Sequence, residues 1–198
     1  GGTVETNQDP DQLPAFDINR FDPGSPVGNP AVTPGPTGTQ LLPRTLTGVV
    51  RIDGSVNFLT GVTLVNATVF VTDNFTTTSL VGTGTLFVGG TTRFTAAVNL
   101  TGTSDRLTVF SEGDITIGLA GVFQGVFLTH GNFTANGALV VLGAVYANNP
   151  SDPSKGNIAL NALTSIIIHV QEYTAFASYF LALGGEAKRP LAGTEESL

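Results

Sequence analysis

The chain has 198 residues, 41% hydrophobic and 12% charged, with 25 glycines and a formal charge of −7. That length buries a core in one elongated domain, and the neutral, turn-rich composition points to β structure. Eight Lys plus Arg give nucleic-acid binding no electrostatic support, and the absence of cysteine excludes disulfides, thiol catalysis and thiolate metal sites.

Residues 1–47 carry eight of the eleven prolines: Pro10, Pro14, Pro23, Pro26, Pro30, Pro34, Pro36 and Pro43. Proline cannot donate to a ladder, so this arm is predicted to run extended over the surface, with at most short edge strands. Residues 48–170 hold a repeat. Its first strand reads Thr68-Val-Phe70-Val, Thr85-Leu-Phe87-Val, Thr108-Val-Phe110-Ser, Gly125-Val-Phe127-Leu and Ala144-Val-Tyr146-Ala, with the aromatics 17, 23, 17 and 19 residues apart. The segment Val50–Phe58 fits one coil earlier, at an offset of 19. After each polar corner comes a second strand that places Phe75, Phe94, Ile115, Phe133 and Ile158 on one face, read as core. Thr76, Thr95, Thr116, Thr134 and Ala159 take the other, read as a solvated ladder. Residues 148–156 form an inserted corner loop, and Ser165 to Val170 a last strand. In residues 171–185, Tyr173, Phe176, Ala177 and Phe180 fall at helical spacing before Gly184-Gly185, which predicts a helix capping the open end of the coil. The tail, 186–198, is polar.

Like residues recur at like positions, as they must where each strand pairs in register with its equivalent one coil above and below. The expected fold is therefore all-β: a single right-handed parallel β-solenoid of about six coils, with a Pro-rich N-terminal arm and a C-terminal capping helix. No stretch reaches the roughly 18 consecutive apolar residues of a membrane span. Methionine is absent as well, so the chain is expected to be processed or part of a longer product, with any leader in the missing part.

Adjacent strand residues point opposite ways, so the column Val69, Leu86, Val109, Val126, Val145 and the column Phe70, Phe87, Phe110, Phe127, Tyr146 cannot both face the interior. The aromatic column is the candidate binding surface. Five stacked apolar residues would form an exposed patch unless covered, either by the arm through Phe16, Ile18, Phe21, Leu41 and Leu42, or by a partner. Asp53, Asp73, Glu112, Asp114 and His130 gather at the corners after the first strands. They are candidates for a glycosidase carboxylate pair or for a Glu112/Asp114/His130 metal site. Tight turns favour Asp, Asn and Gly for conformational reasons alone, and that reading is preferred, so no catalytic residue, metal or cofactor is assigned. His169 lies in an apolar strand and reads as structural. Asn66, Asn74, Asn99 and Asn132 begin glycan-acceptor triplets. The Thr ladder lacks the two ordered threonines per coil of an ice-binding face.

The opening Gly2-Thr-Val-Glu-Thr-Asn7 with Pro14-Ala-Phe16 resembles a Gly-Pro-Val-His-Thr-Asn signature, with Thr3 and Glu5 where the signature has Pro and His. Ser111 to Ile117, Gly125 to His130, Gly143 to Ala147 and Gly156-Asn-Ile158 are similar to coils of the same proteins, the PilX-type pilin-like (minor pilin, ComZ-like) proteins of Deinococcus–Thermus bacteria. The resemblance implies an extracellular, cell-surface β-solenoid of a pilus-associated protein. Its implied roles are adhesion, pilus function or surface binding, with pilin or envelope proteins as partners. The alternatives are a polysaccharide-active β-helix using the acidic corner and a bactofilin-like self-assembling filament.

Overall fold

The computed structural model describes residues 17–26, 31–96, 98, 100, 106–149, 151, 152 and 154–169. After a 3-10 turn at Ile18–Phe21, fifteen strands follow in these residues. They are β1 (Val32–Pro34), β2 (Gly38–Gln40), β3 (Arg44–Ile52), β4 (Val56–Phe58), β5 (Val62–Val71), β6 (Phe75–Thr77), β7 (Leu80–Val88), β8 (Thr92–Phe94), β9 (Arg106–Ser111), β10 (Ile115–Ile117), β11 (Gly121–Thr129), β12 (Phe133–Ala135), β13 (Leu139–Ala147), β14 (Ile158–Leu160) and β15 (Ile166–His169). Odd-numbered strands make one eight-stranded sheet and even-numbered strands one of seven, each in strict order along the axis. Every pairing is parallel. This is a parallel β-solenoid of about six coils.

The coil starts earlier than residue 48. Within the expected arm, β1 pairs with Val49–Arg51 and β2 with Val56–Phe58, so winding begins at Val32. Pro34 is tolerated because, among the described residues, β1 has a neighbour on one side only, and a missing N–H costs a strand nothing at a free edge. The helix expected over 171–185 and the tail lie outside the described residues.

Two register expectations are corrected. In the long strands the inner column is Val50, Val69, Leu86, Val109, Phe127, Val145, and the outer one is Arg51, Phe70, Phe87, Phe110, Leu128, Tyr146. Phe127 therefore faces inward, one position from where matching aromatic to aromatic places it. Its ring packs against Phe123 at 3.8 Å and Phe133 at 5.2 Å between centroids. In the short strands Phe75 stacks on Thr92, and Phe94 lies between Thr77 and Ile117. The face expected for Phe94 is right and its register is two residues off. The outward ladder accordingly runs Thr39, Asn57, Thr76, Arg93, Thr116, Thr134, Ala159, with Arg93 where Thr95 is expected.

Volume explains the shift. The inward pairs of successive short strands are Val56/Phe58, Phe75/Thr77, Thr92/Phe94, Ile115/Ile117 and Phe133/Ala135, so in four of the five a large residue in one column meets a smaller one in the other. Stacking Phe94 on Phe75 would crowd two rings together and leave a void beside them. The two buried threonines satisfy their hydroxyls locally, Thr77 Oγ1 donating to Ser79 O at 2.7 Å and Thr92 Oγ1 to Ser111 Oγ at 3.1 Å. Phe58, Phe75, Phe94, Phe123, Phe127 and Phe133 are at most 1% exposed. Each such ring contributes about 1.5–3 kcal/mol of burial.

Glycine marks one column of the long strands, where Gly84, Leu107, Gly125 and Gly143 succeed one another. Gly125 and Gly143 run at φ +135° and +148°. A Cβ on Gly143 would fall on the carbonyl oxygen of Gly125, and one on Gly125 on that of Leu107. The earlier coils reach the same bend through Gly48 (φ +67°) and Asn66 (φ +48°), the latter an extra residue opposite β7.

Candidate functional site

Two features of the surface come from the repeat, an outer aromatic column and the acid-bearing corners. The column is Phe70, Phe87, Phe110, Leu128 and Tyr146; the first four are at most 3% exposed, and Ile18 and Phe21 of the N-terminal turn pack in the same cluster. Strand spacing sets the ring spacing. Phe21 stacks on Phe87 at 4.8 Å and Phe87 on Phe110 at 5.1 Å, both 8° from parallel, which is the offset-stacked range for aromatic pairs. Ile18 completes the apolar contact at 1% exposure. Phe16, also expected as cover, lies outside the described residues, while Leu41 and Leu42 are 70% and 71% exposed and cover nothing. Of the five candidate binding residues, Phe70, Phe87, Phe110 and Tyr146 share this face and Phe127 does not. Leu128 takes its place.

Polar contacts pin the turn at both ends. Asp17 caps it by accepting the Asn19 N–H at 3.0 Å. Glu112 Oε1 accepts the Ile18 N–H at 3.1 Å, and Glu112 Oε2 lies 2.7 Å from His130 Nδ1. Farther along, Asp22 pairs with the Arg51 guanidinium, whose Nε donates to Asp53 Oδ1 at 2.7 Å and whose Cζ lies 5.8 Å from the centre of the Phe70 ring. The Asp53 hydrogen bond, with Asp22 beside it, holds Arg51 above its usual pKa against the opposing effect of burial.

The corners between long and short strands are three residues in six successive coils: 35–37, 53–55, 72–74, 89–91, 112–114 and 130–132. Stacking them sorts the acids. Asp53, Thr72, Gly89, Glu112 and His130 share the first position, Asp73 takes the second, and Asp114 the third. Asp53 and Glu112 are three strand steps apart, roughly 14 Å at about 4.8 Å per step. Glycosidase carboxylates stand about 5–9.5 Å apart, so these two are not such a pair. Among the described residues no group of three or more His, Asp or Glu is placed to hold a metal ion.

The third corner position forms a ladder that sequence reading takes for glycan acceptors and turn acids. Asn74 Oδ1 accepts the Thr91 N–H at 2.8 Å, Asp114 Oδ1 the Asn132 N–H at 2.8 Å, and Asn132 Oδ1 the Asn157 N–H at 3.2 Å. Each side chain thus satisfies the backbone one coil on. The signal was present in sequence as an Asn, Asp, Ser or Thr immediately before every second strand. Asn66 instead exchanges hydrogen bonds with Thr83 Oγ1, at 3.1 Å from its N–H and 3.0 Å to its Oδ1. Asn99 lies outside the described residues. In the inserted loop, Asp152 accepts the Ser154 hydroxyl at 2.6 Å and its N–H at 3.0 Å, and these bonds hold its carboxyl below the usual value. For His169 the structure gives the backbone of β15, opposite Gly143. Among the described residues no helix is long and apolar enough to cross a membrane.

No family model, curated protein or solved structure matches the chain.

Proposed function

We propose that the chain is a non-catalytic, extracellular β-solenoid module of a cell-surface or type IV pilus-associated protein, acting in adhesion, pilus function or surface binding. In this reading the winding is right-handed, a helix over 171–185 closes the C-terminal end, and pilin or envelope proteins are the partners. The sequence resemblance supplies the pilus setting. The observation that carries the non-catalytic part is the state of Glu112: one oxygen holds the Ile18 N–H and the other meets His130, so the best-placed acid of the corner already serves the fold. Asp114 is similarly engaged by the Asn132 N–H, with Lys155 Nζ at 3.9 Å. Around these corners the short strands present Thr, Asn and Arg side chains outward along the whole coil, a polar relief suited to contact rather than to enclosing a substrate.

The experiment is a hydrolysis screen against soluble and insoluble polysaccharides, run with the wild-type chain and the Glu112→Gln/Asp114→Asn double variant. The expected result is no turnover by either protein. Turnover by the wild type that disappears in the variant would replace this reading with the polysaccharide-active one. For the pilus setting, the expected finding in the encoded protein is a prepilin cleavage site and apolar helix upstream of Gly1, and an unrelated cytoplasmic domain there would refute it.

A further inference from the structure

Among the described residues the core does not close at the C-terminal end of the coil. Farther back its inward side chains are sealed, with Phe127, Phe133, Ala135 and Val141 all at 0% exposure. One step on, the inward residues Val145, Ala147, Leu160 and Ile167 are only partly buried, and Ile158, which stacks on Phe133, is 45% exposed. The cause is in the pairing. β15 covers only Val140–Gly143 of β13, so among the described residues the rest of β13 and all of β14 have no coil beyond them.

The sequence that follows carries what such an end needs. Tyr173, Phe176, Ala177 and Phe180 recur at the spacing of one helix face, Leu183 continues it, and no charged residue lies between Tyr173 and Leu183. Tether length fixes where these residues can go. The chain leaves β15 opposite Gly143, beside the uncovered residues 144–147 of β13. Glu172 follows His169 by three residues, roughly 10 Å of extended chain, so a helix begun there starts on the rim of the open core. Twelve helical residues span about 18 Å, enough to cross the roughly 10 Å between packed sheets.

We infer that the open core end, formed by Val145, Ala147, Ile158, Leu160 and Ile167, is a seat for an amphipathic helix, and that its occupant is residues 172–183 of the same chain, with Phe176 and Phe180 turned into the core. The occupant completes the core where a further coil would otherwise do so. It also lies across the edge of β15 that is free among the described residues, whose backbone groups would be a template for another strand. A tether of three residues favours the same-chain seat, because it holds the segment at a local concentration that no separate molecule reaches. The inference takes the helix over 171–185 from the reading above and adds its seat, and it is independent of the pilus setting.

The test uses the full chain with p-benzoylphenylalanine in place of Phe176, mixed with ¹⁵N-labelled wild type, irradiated and cut at glutamate for mass spectrometry. Cleavage at Glu172 separates residue 176 from residues 158–168. Crosslinks from residue 176 to residues 145–147 and 158–167 of the same unlabelled chain are expected, at a yield independent of concentration. Crosslinks to labelled chains, or only to other surfaces, overturn the inference. Phe176→Ser/Phe180→Ser in the full chain gives a second reading without the probe. Amide exchange in β14 and β15 should rise at least about fivefold while β7 and β9 keep wild-type rates, which also shows that the coil is folded. Unchanged exchange in β14 and β15 refutes the seat. Backbone ¹³C shifts of residues 172–183 in the wild type are expected to be helical. Coil or strand shifts would overturn the helix and this inference with it, whereas helical shifts without the crosslinks overturn the seat alone.

Discussion

Gly143 shows how tightly one position of a coil is specified. Its backbone is in a region that L side chains rarely adopt, and the carbonyl of Gly125 occupies the place of a β-carbon, so conformation and space exclude the same substitutions. Gly143→Ala is expected to lower stability by about 1–3 kcal/mol, seen as a lower urea midpoint with an unchanged slope. A midpoint equal to wild type would show that the bend relaxes freely. The sequence does not separate this glycine from corner glycines such as Gly89, where a Cβ would also meet a carbonyl of the preceding coil; what singles Gly143 out is its φ of +148°.

At the scale of an element, the corner ladder supplies what three-residue strands cannot. Short strands make few ladder bonds, and the Asn or Asp ahead of β6, β10 and β12 adds a bond to the following coil. Removing the Asn132 side chain withdraws the acceptor of the Asn157 N–H at the base of the inserted loop. Asn132→Ala is expected to cost about 1–2 kcal/mol, whereas Thr134→Ala, two residues on and facing outward, should stay within about 0.5 kcal/mol. Thermal or urea denaturation of the two variants side by side checks this, and equal losses would contradict the ladder's role. The aromatic column is likewise a property of the element. Its rings stack because the strands are spaced as they are, and Leu128 interrupts the stack where Phe127 turns in to fill the core.

For the molecule as a whole, contacts run between neighbouring coils, so stability accumulates along one dimension and is lowest where a coil has a single neighbour. Amide hydrogen exchange should be slowest in β7, β9 and β11 and faster by at least about tenfold in β1 and β15, the two ends of the long-strand sheet. Uniform protection along the axis would mean that the coil opens only as a unit. Near the C-terminal end Ile158, Leu163, Ile166 and Ile168 are 45–106% exposed, an apolar surface on the last coil. The arm adds a contact of another kind, reaching from Asp22 at Arg51 to Ile18 at Glu112 and so tying β3 to the corner after β9.

The repeat of apolar columns, the polar corners and the class of fold were legible in the amino acids, because parallel stacking puts equivalent residues on one another and leaves a period in the sequence. Which residues are equivalent was not. Phe94 against Thr92, and Phe127 against Leu128, are decided by the volumes of side chains on the facing strand, far away in the chain. The start of the coil at Val32 was hidden because proline density argues against strands except at an edge, and only the assembled sheet shows where its edge is. The candidate corner was visible as a cluster of acids, yet the partners that occupy Glu112 come from Ile18 and His130, 94 and 18 residues away. Local pattern therefore determined that the chain winds. The packing of one coil on the next decided the register, and with it which face carries the aromatic column.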